Sequence, residues 1–295
     1  FPELTEAMLG IVYPHLIRPV PSMSIVEFEL DPTKGKIDKG LAVPQGTILY
    51  SRPVQNVPCK FRTAYPTTLY PLTTAAADWS TPDRLRPALK AADAQFAISV
   101  KFSAPADVEV GKLELDSLRF YLNGESAVIN SLYEVLSSSV TRIILRDPKD
   151  PRKAPLVLPP QALRPVGFEN DEGILDYPGR SFHAYRILQE FFCFPEKFFF
   201  FELRGLEALL AQGFGNEVEV VFLISRVGSD EVRTRLETGI TAQTFRTNTT
   251  PVINLFPLTC EPILLDQMRA EYPILPDVRR MNAFEIHSIE EVLSI

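Results

Sequence analysis

Cysteine is scarce in this chain, with three residues among 295. Cys59, Cys193 and Cys260 lie far apart, and no two of them form a CxxC motif. An odd number of cysteines without a CxxC pair argues against a disulfide framework and a zinc site. All three have apolar neighbours, which predicts buried, reduced thiols in a protein of the cytoplasm.

Basic charge and long apolar runs are lacking as well. Lysine and arginine number 30 against 37 acidic residues, which gives a net charge of −7. This balance argues against nucleic acid or an anionic membrane surface as a partner, because both attract basic patches. No apolar run reaches the ~18 residues of a transmembrane helix, so we expect no direct membrane insertion. The chain opens with Phe1-Pro2-Glu3, without Met or a cationic segment, which predicts a processed or partial chain without a signal peptide.

Residue types that perform catalysis or bind metals are few and scattered. The three histidines show no metal-ligand spacing. Gly179-Arg180-Ser181 is similar to part of a nucleophile elbow, but the second glycine is missing, and Ser181 is instead predicted to cap a helix. Gly213-Phe214-Gly215 lacks the third glycine of a dinucleotide site, and the acidic loop 169–173 favours a solvated turn. We therefore expect no enzymatic activity, no catalytic residues, no cofactor and no metal.

Proline and phenylalanine, by contrast, are abundant, at 26 and 20 residues beside a single Trp. Because proline interrupts helices and interior strands, this composition predicts many short elements joined by stiff, extended connections. The sequence therefore predicts an α+β fold, predominantly β. We expect a proline-rich, multi-domain protein with short strands and a few short helices.

Periodicity locates the main elements. Helical spacing of apolar residues predicts helices over 2–13, 127–137 and roughly 183–193, the last with Tyr185, Leu188 and Phe192 on one face. Near-continuous apolar runs over 197–203 and 217–225 predict central strands that are buried on both faces.

Composition also suggests three parts of the chain. We predict a β-rich domain over 1–88 and an α+β domain with central apolar strands over 89–228. The remainder, 229–295, is predicted as an extended, proline-punctuated segment, for which packing back on the first domain is one option. The alanine-rich stretch 75–92 favours a linker or domain boundary, and 147–165, with six prolines, an exposed and stiff connection.

Phenylalanines are densest at positions 191–201, where seven occur. In a strand, Phe198 and Phe200 lie on one face and Phe199 and Phe201 on the other. One interpretation is a core strand that the chain itself covers on both faces. The other is that a second subunit covers one aromatic face, which makes Phe199 and Phe201 candidate interface residues.

The segment Thr250–Pro257 is the second candidate interface. Its bordering prolines favour an extended strand at a sheet edge rather than at a sheet centre. Val252, Asn254 and Phe256 point to one side, and apolar edge strands are usually covered. The cover comes either from the same chain or from a neighbouring subunit.

Seven segments together resemble one protein family, and they occur in the same order along essentially the whole chain. They are Phe1-Pro2-Glu3-Leu4 with Tyr13-Pro14-His15 and Pro21-Ser22-Met23; Pro44-Gln45-Gly46-Thr47 with Tyr50-Ser51-Arg52-Pro53; Val57-Pro58-Cys59-Lys60-Phe61-Arg62-Thr63; Leu118-Arg119-Phe120-Tyr121-Leu122; Arg164-Pro165-Val166-Gly167-Phe168 with Asp171-Glu172; Tyr185-Arg186-Ile187-Leu188-Gln189-Glu190 with Phe194-Pro195-Glu196-Lys197-Phe198; and Thr250-Pro251-Val252-Ile253-Asn254-Leu255-Phe256. The chain thus resembles the TssF (VasA or ImpG) family of baseplate subunits of the bacterial type VI secretion system.

The resemblance implies a non-enzymatic wedge component of a contractile injection machine. It implies two F-type chains for each TssG-like subunit, with TssE, TssK and VgrG as further partners. It also implies a cytoplasmic location, docked at the inner membrane through the secretion apparatus.

Two other classes of protein compete with this interpretation. A β-sandwich module that binds a ligand or carbohydrate requires a pocket of convergent polar and aromatic groups, and the single Trp argues against it. A hydrolase requires a base beside a nucleophile, and the sequence suggests no such pair.

Overall fold

A computed structural model describes residues 2–31, 39–54, 56–179, 181–266, 268 and 271–293. Short strands dominate these residues, in agreement with the high proline content. The strands are β1 (Met23–Glu27), β2 (Leu41–Val43), β3 (Ile48–Val54), β4 (Val57–Thr63), β5 (Thr67–Leu69), β6 (Thr73–Ser80), β7 (Phe96–Ser103), β8 (Ser117–Leu122), β9 (Val140–Arg146), β10 (Leu156–Leu158), β11 (Leu163–Val166), β12 (Phe200–Arg204), β13 (Glu217–Ile224), β14 (Phe245–Arg246) and β15 (Thr249–Ile253).

The helices are few and short, as the sequence predicts. They are α1 (Pro2–Val12), α2 (Pro14–Ile17), α3 (Ser126–Ser138), α4 (His183–Cys193), α5 (Leu209–Gln212) and α6 (Asp230–Gly239). Single 3₁₀ turns lie at Val110–Lys112, Pro160–Ala162, Pro195–Phe198, Leu206–Ala208 and Ala242–Thr244, and a longer one lies at Val278–Ala283. The predicted fold class, α+β and predominantly β, is confirmed.

A five-stranded sheet with the order β10-β9-β13-β7-β6 forms the largest layer. β13 is central and pairs antiparallel with both β7 and β9, which confirms the buried strand predicted over 217–225. A strand of this kind needs apolar cover on both faces. On one face, Val221 and Leu223 pack with Leu85, which lies in the stretch after β6.

This packing explains why the linker prediction for 75–92 is wrong. Residues 73–80 form β6, which pairs with β7, and the following residues cover the outer face of the sheet. The exposed connection predicted over 147–165 is also wrong in part. β10 extends the same sheet by pairing with β9, and β11 pairs with β12.

A four-stranded sheet with the order β11-β12-β8-β14 packs against the first sheet. The ring of Phe120 on β8 lies 6.1 Å from Phe201, 6.4 Å from Phe222 on β13 and 5.6 Å from Phe245. Aromatic rings from both layers therefore meet in one core. β12 is central in its sheet, but it begins at Phe200, because Pro195–Phe198 forms a 3₁₀ turn instead of the predicted start of the strand.

A third sheet has the order β1-β15-β4-β3, and it corrects the edge position predicted for the segment 250–257. β15 lies between β1 and β4 despite Pro251. The carbonyl of Pro251 accepts a hydrogen bond from Ala64, directly after β4 ends, at 2.9 Å. The position at which Pro251 lacks an N–H therefore lies beside the end of β4, so few hydrogen bonds between β15 and β4 are lost.

The division into domains 1–88, 89–228 and 229–295 stays a prediction. The sheets connect these ranges, since β6 pairs with β7 and β15 pairs with β1. The last range is less extended than expected, because it contains α6, whose Ser229 hydroxyl caps the helix by accepting from Val232 N at 3.3 Å.

The cysteines are free, as predicted, but their expected burial is wrong. Cys193 is exposed at the end of α4, and Cys59 and Cys260 are partly buried.

Candidate protein interface

The two phenylalanines of the first predicted interface both lie against α3. Phe201 is fully buried, with its ring 5.2 Å from Tyr133 on α3. Phe199 lies just before β12, is partly buried, and meets the edge of Tyr133 at 6.1 Å. The cover of this aromatic face is a helix of the same chain, which favours the core interpretation. A role for Phe199 and Phe201 in subunit contacts stays a prediction.

The residues of the second predicted interface also have partners within the chain. Val252 is buried between β1 and β4. The side-chain amide of Asn254 donates to the carbonyl of Lys60 at 2.9 Å. Phe256 is partly exposed, with the ammonium of Lys60 4.5 Å from its ring centroid and Phe284 at 6.3 Å. Cover from the same chain is thus favoured here too, and a subunit contact at these three residues stays a prediction.

A much larger apolar surface lies on α4. Amphipathic helices normally pack the apolar stripe against the core. In α4 this orientation is reversed, because the buried residues are Arg186 and Glu190. Phe182 at the N-cap is 68% exposed and Phe192 is 81% exposed. The exposed residues, called the α4 face below, are Phe182, Tyr185, Leu188, Phe191 and Phe192.

A buried ion pair beneath α4 explains this reversed orientation. Glu190 and Lys197 form a salt bridge, and both side chains are completely buried. The second carboxylate oxygen of Glu190 accepts from Ile174 N at 2.8 Å and from Leu175 N at 3.0 Å. Burial lowers the pKa of Lys197, and the carboxylate of Glu190 opposes that shift. Because a charged group is costly to bury without its partner, this pair keeps the polar side of α4 inward.

The loop before α4 is organised by a second buried carboxylate. Glu172 Oε2 accepts from the backbone N–H groups of Gly167, Phe168 and Glu169 at 2.7, 3.0 and 3.1 Å. Its other oxygen accepts from Arg164 at 2.5 Å. The solvated turn predicted over 169–173 is therefore wrong for Glu172, which the backbone donors draw inside.

Backbone carbonyls connect this loop to α4 and to the ion pair. Arg186 donates to the carbonyls of Asn170 and Glu169 at 2.8 and 2.7 Å. The carbonyl of Glu172 accepts from Lys197 at 2.8 Å and from the hydroxyl of Tyr65 at 2.9 Å. Burial raises the pKa of Tyr65 well above its ordinary value, so the phenol stays a donor. The loop, α4 and Lys197 are thus one hydrogen-bonded unit.

Gly167 is required at the turn that enters this loop. Its φ is +111°, and a Cβ there would lie 3.2 Å from Lys197 Cε and 3.2 Å from Phe198. Only glycine combines this φ with so close an approach.

Ser181 does not cap α4, contrary to the prediction. The helix begins at His183 with Phe182 at the N-cap position and without a side-chain cap. Ser181 lies one position before the N-cap. Its backbone N–H donates instead to Pro178 O at 2.9 Å, which closes a turn.

Further exposed apolar side chains lie on α1 and α2, next to α4. No described residue of α1 is buried, and Leu4, Met8 and Leu16 are exposed. Gln189 on α4 donates to the carbonyl of His15 on α2 at 3.1 Å, which joins the two helices. The α4 face is thus accompanied by further exposed apolar side chains on the two helices that precede β1.

The described residues offer little support for ligand chemistry. The cleft lined by His15, Gln189 and His287 holds about 10 Å³, the size of one water molecule. The single Trp, Trp79, packs its ring 5.2 Å from Phe96. Across the part of the chain that the structure describes, no three His, Cys, Asp or Glu side chains converge to hold a metal. Within the same residues, no helix has the length and apolar character needed to cross a bilayer.

The family model for "Type VI secretion system, TssF" matches residues 1–295. The chain belongs to the TssF family. This confirms the resemblance seen in the sequence. A curated relative, the type VI secretion system component TssF1 of Pseudomonas aeruginosa (strain PAO1), is 33% identical over 297 residues. The match covers 99% of this chain and 47% of that protein, so the chain spans about half the length of this TssF relative.

A solved structure of a TssF-containing complex has the same fold. A chain of the TssK-TssF-TssG baseplate subcomplex, determined by cryo-electron microscopy, superposes with a TM-score of 0.80 at 26% identity. The match covers 98% of this chain and 51% of the other.

The α4 face is visible in the sequence only as a helical stripe of apolar residues. The signal for its orientation is the pair of charged residues Arg186 and Glu190 on the opposite side of the helix.

Proposed function

We propose that this chain is part of a structural, non-enzymatic baseplate subunit of the bacterial type VI secretion system. Such a subunit is a wedge component of the platform on which the contractile tail is built. The observation that carries the proposal is membership of the TssF family along all 295 residues. The architecture supports it, because a β-rich body with an outward apolar helix face is suited to assembly with other subunits.

The proposed partners are a TssG-like and a TssK-like subunit. The similar solved chain belongs to a TssK-TssF-TssG subcomplex, which supports this choice. On the basis of the family resemblance, the proposed stoichiometry is two F-type chains for each G-type chain, and TssE and VgrG are proposed as further partners. The protein then lies on the cytoplasmic side of the machine, and it reaches the inner membrane through its partners.

Co-expression of the full-length protein with its TssG-like and TssK-like partners tests this function. We expect a stable complex on size exclusion, with two F-type chains per G-type chain in its native mass spectrum. An equimolar complex would contradict the stoichiometry alone. Absence of a complex at micromolar concentration would contradict the function, and a stoichiometric cofactor in the purified protein would contradict the non-enzymatic role.

A further inference from the structure

The small cleft beside α4 lies where three distant segments of the chain meet. Its walls come from residues between His15 and Val20, from α4 and the loop before it through Gln189 and Asp176, and from His287 in the segment after the last 3₁₀ turn. The volume is about 10 Å³, close to the smallest that holds one water molecule. The cleft therefore has room for a single small molecule or ion.

Two buried polar atoms at this cleft indicate a bound polar molecule. Gln189 donates through Nε2 to the carbonyl of His15 at 3.1 Å, and this contact assigns the other end of its amide as the oxygen. That oxygen, Oε1, is shielded from bulk solvent, and so is Nδ1 of His287. Neither atom has a hydrogen-bonding partner within the part of the chain that the structure describes. Buried polar atoms are costly to leave unpaired, and ordered water is a common partner for them.

The imidazole of His287 is neutral at neutral pH. Burial and the charges of Arg18 and Arg62 lower its pKa, and the carboxylate of Asp176 opposes that shift only in part. A neutral imidazole carries one proton, so Nδ1 either donates or accepts a hydrogen bond. A molecule that contacts both atoms therefore has to donate to the amide oxygen of Gln189, and it can take either role toward His287.

The charges around the cleft disfavour an ion. An anion would be repelled by the amide oxygen of Gln189 and by the carboxylate of Asp176. A cation would be repelled by Arg18, and the carboxylate of Asp176 already pairs with Arg62 at 3.5 Å. Water is the neutral molecule that fits this volume and both donates and accepts hydrogen bonds.

We propose that the cleft is the binding site of one ordered water molecule, which bridges Gln189 Oε1 and His287 Nδ1. The water donates to the amide oxygen of Gln189, whose amide nitrogen in turn donates to the carbonyl of His15. The bridge therefore holds the segment that contains His287 against α2 and α4. This role is independent of the partners named under the proposed function.

A structure of the full-length protein at a resolution that shows ordered water tests the site directly. We expect one water molecule within hydrogen-bonding distance of both atoms, at about 2.7–3.2 Å. An ion in the same position, identified by its anomalous scattering, would overturn the proposal. A side chain from another part of the protein in the cleft, or direct contacts between protein groups that satisfy both atoms, would overturn it as well.

Two substitutions of His287 test whether the polar contact, rather than packing, holds this segment. His287→Leu removes the polar atoms, whereas His287→Asn keeps an amide N–H close to the position of Nδ1. Hydrogen–deuterium exchange of the full-length protein follows the amides of residues 284–289. We expect exchange to be about fivefold faster or more in His287→Leu, and within about twofold of the wild-type rate in His287→Asn. Equal exchange in all three proteins, or equal acceleration in both variants, would overturn the bridging role.

Discussion

Removing Lys197 from the buried ion pair should release α4 from the body of the protein. Lys197→Met removes the nearest counter-charge of the buried Glu190 carboxylate and leaves Arg186 Nε, 4.0 Å away, as the remaining cation; breaking a buried pair costs about 3–5 kcal/mol. Glu190 keeps its two backbone donors, Ile174 N and Leu175 N, so we expect the lower end, about 3 kcal/mol. The loss should appear as local opening of α4 and of the preceding loop.

Amide exchange of the full-length protein measures this opening. A loss of about 3 kcal/mol corresponds to more than a hundredfold faster exchange, since each 1.4 kcal/mol is a factor of ten. The control is Glu190→Gln combined with Lys197→Met, which removes the uncompensated charge and keeps an oxygen that can accept from the two amides. The double variant should recover much of the protection. Less than a tenfold change in the single variant, or no recovery in the double variant, would refute the role assigned to the pair.

Three further predictions concern the core. Phe200→Ala should cost ~3–5 kcal/mol because the ring is completely buried; Phe199→Ala should cost clearly less, and equal shifts in denaturation midpoint would contradict the difference in burial. Gly111→Ala should destabilise the protein in a thermal melt, since a Cβ there lies 2.8 Å from the backbone N of Phe214, and an unchanged melting temperature would disprove that contact. For Asp147, burial opposes ionisation, but hydrogen bonds from Lys153 and two backbone N–H groups outweigh it, so its pKa is lowered. The ionised Asp147 carboxylate therefore stabilises the protein at pH values above its unfolded-state pKa of ~4, and this contribution is lost as pH falls through the lower folded-state pKa. Asp147→Asn should flatten the acid side of the plot of unfolding free energy against pH, and an unchanged slope would count against this.

Elements whose sequence pattern is local were predictable from the sequence. The apolar run over 217–225 becomes the central strand β13, and the stripe over 127–137 becomes α3 with two further residues. In both cases the pattern of neighbouring residues is sufficient, because periodicity alone determines which side chains are buried.

Features that depend on distant partners were not predictable. Proline in a central strand is tolerated at Pro251 because the β4 ladder ends beside it, and no property of the segment 250–257 indicates where β4 ends. The stretch 75–92 has the composition of a linker, yet its first residues extend a sheet by pairing with β7, and its later residues cover the second face of β13. The orientation of α4 depends on Lys197 and Glu172, which lie outside the helix.

The charged pair under α4 is best understood as fixing orientation rather than adding stability. Well-packed apolar residues in place of a buried ion pair are often neutral or stabilising. Here, however, apolar residues at positions 190 and 197 would leave Arg186 as the remaining charged side chain on the buried side of α4, and the preference for that side to face the body would be weaker. The buried carboxylate and ammonium make the two orientations unequal, because only one of them keeps the charges paired. The contacts that hold the loop against α4 thus keep five large apolar side chains directed away from the core. Burying the two charges costs free energy, and what results is a helix that presents one defined face for assembly.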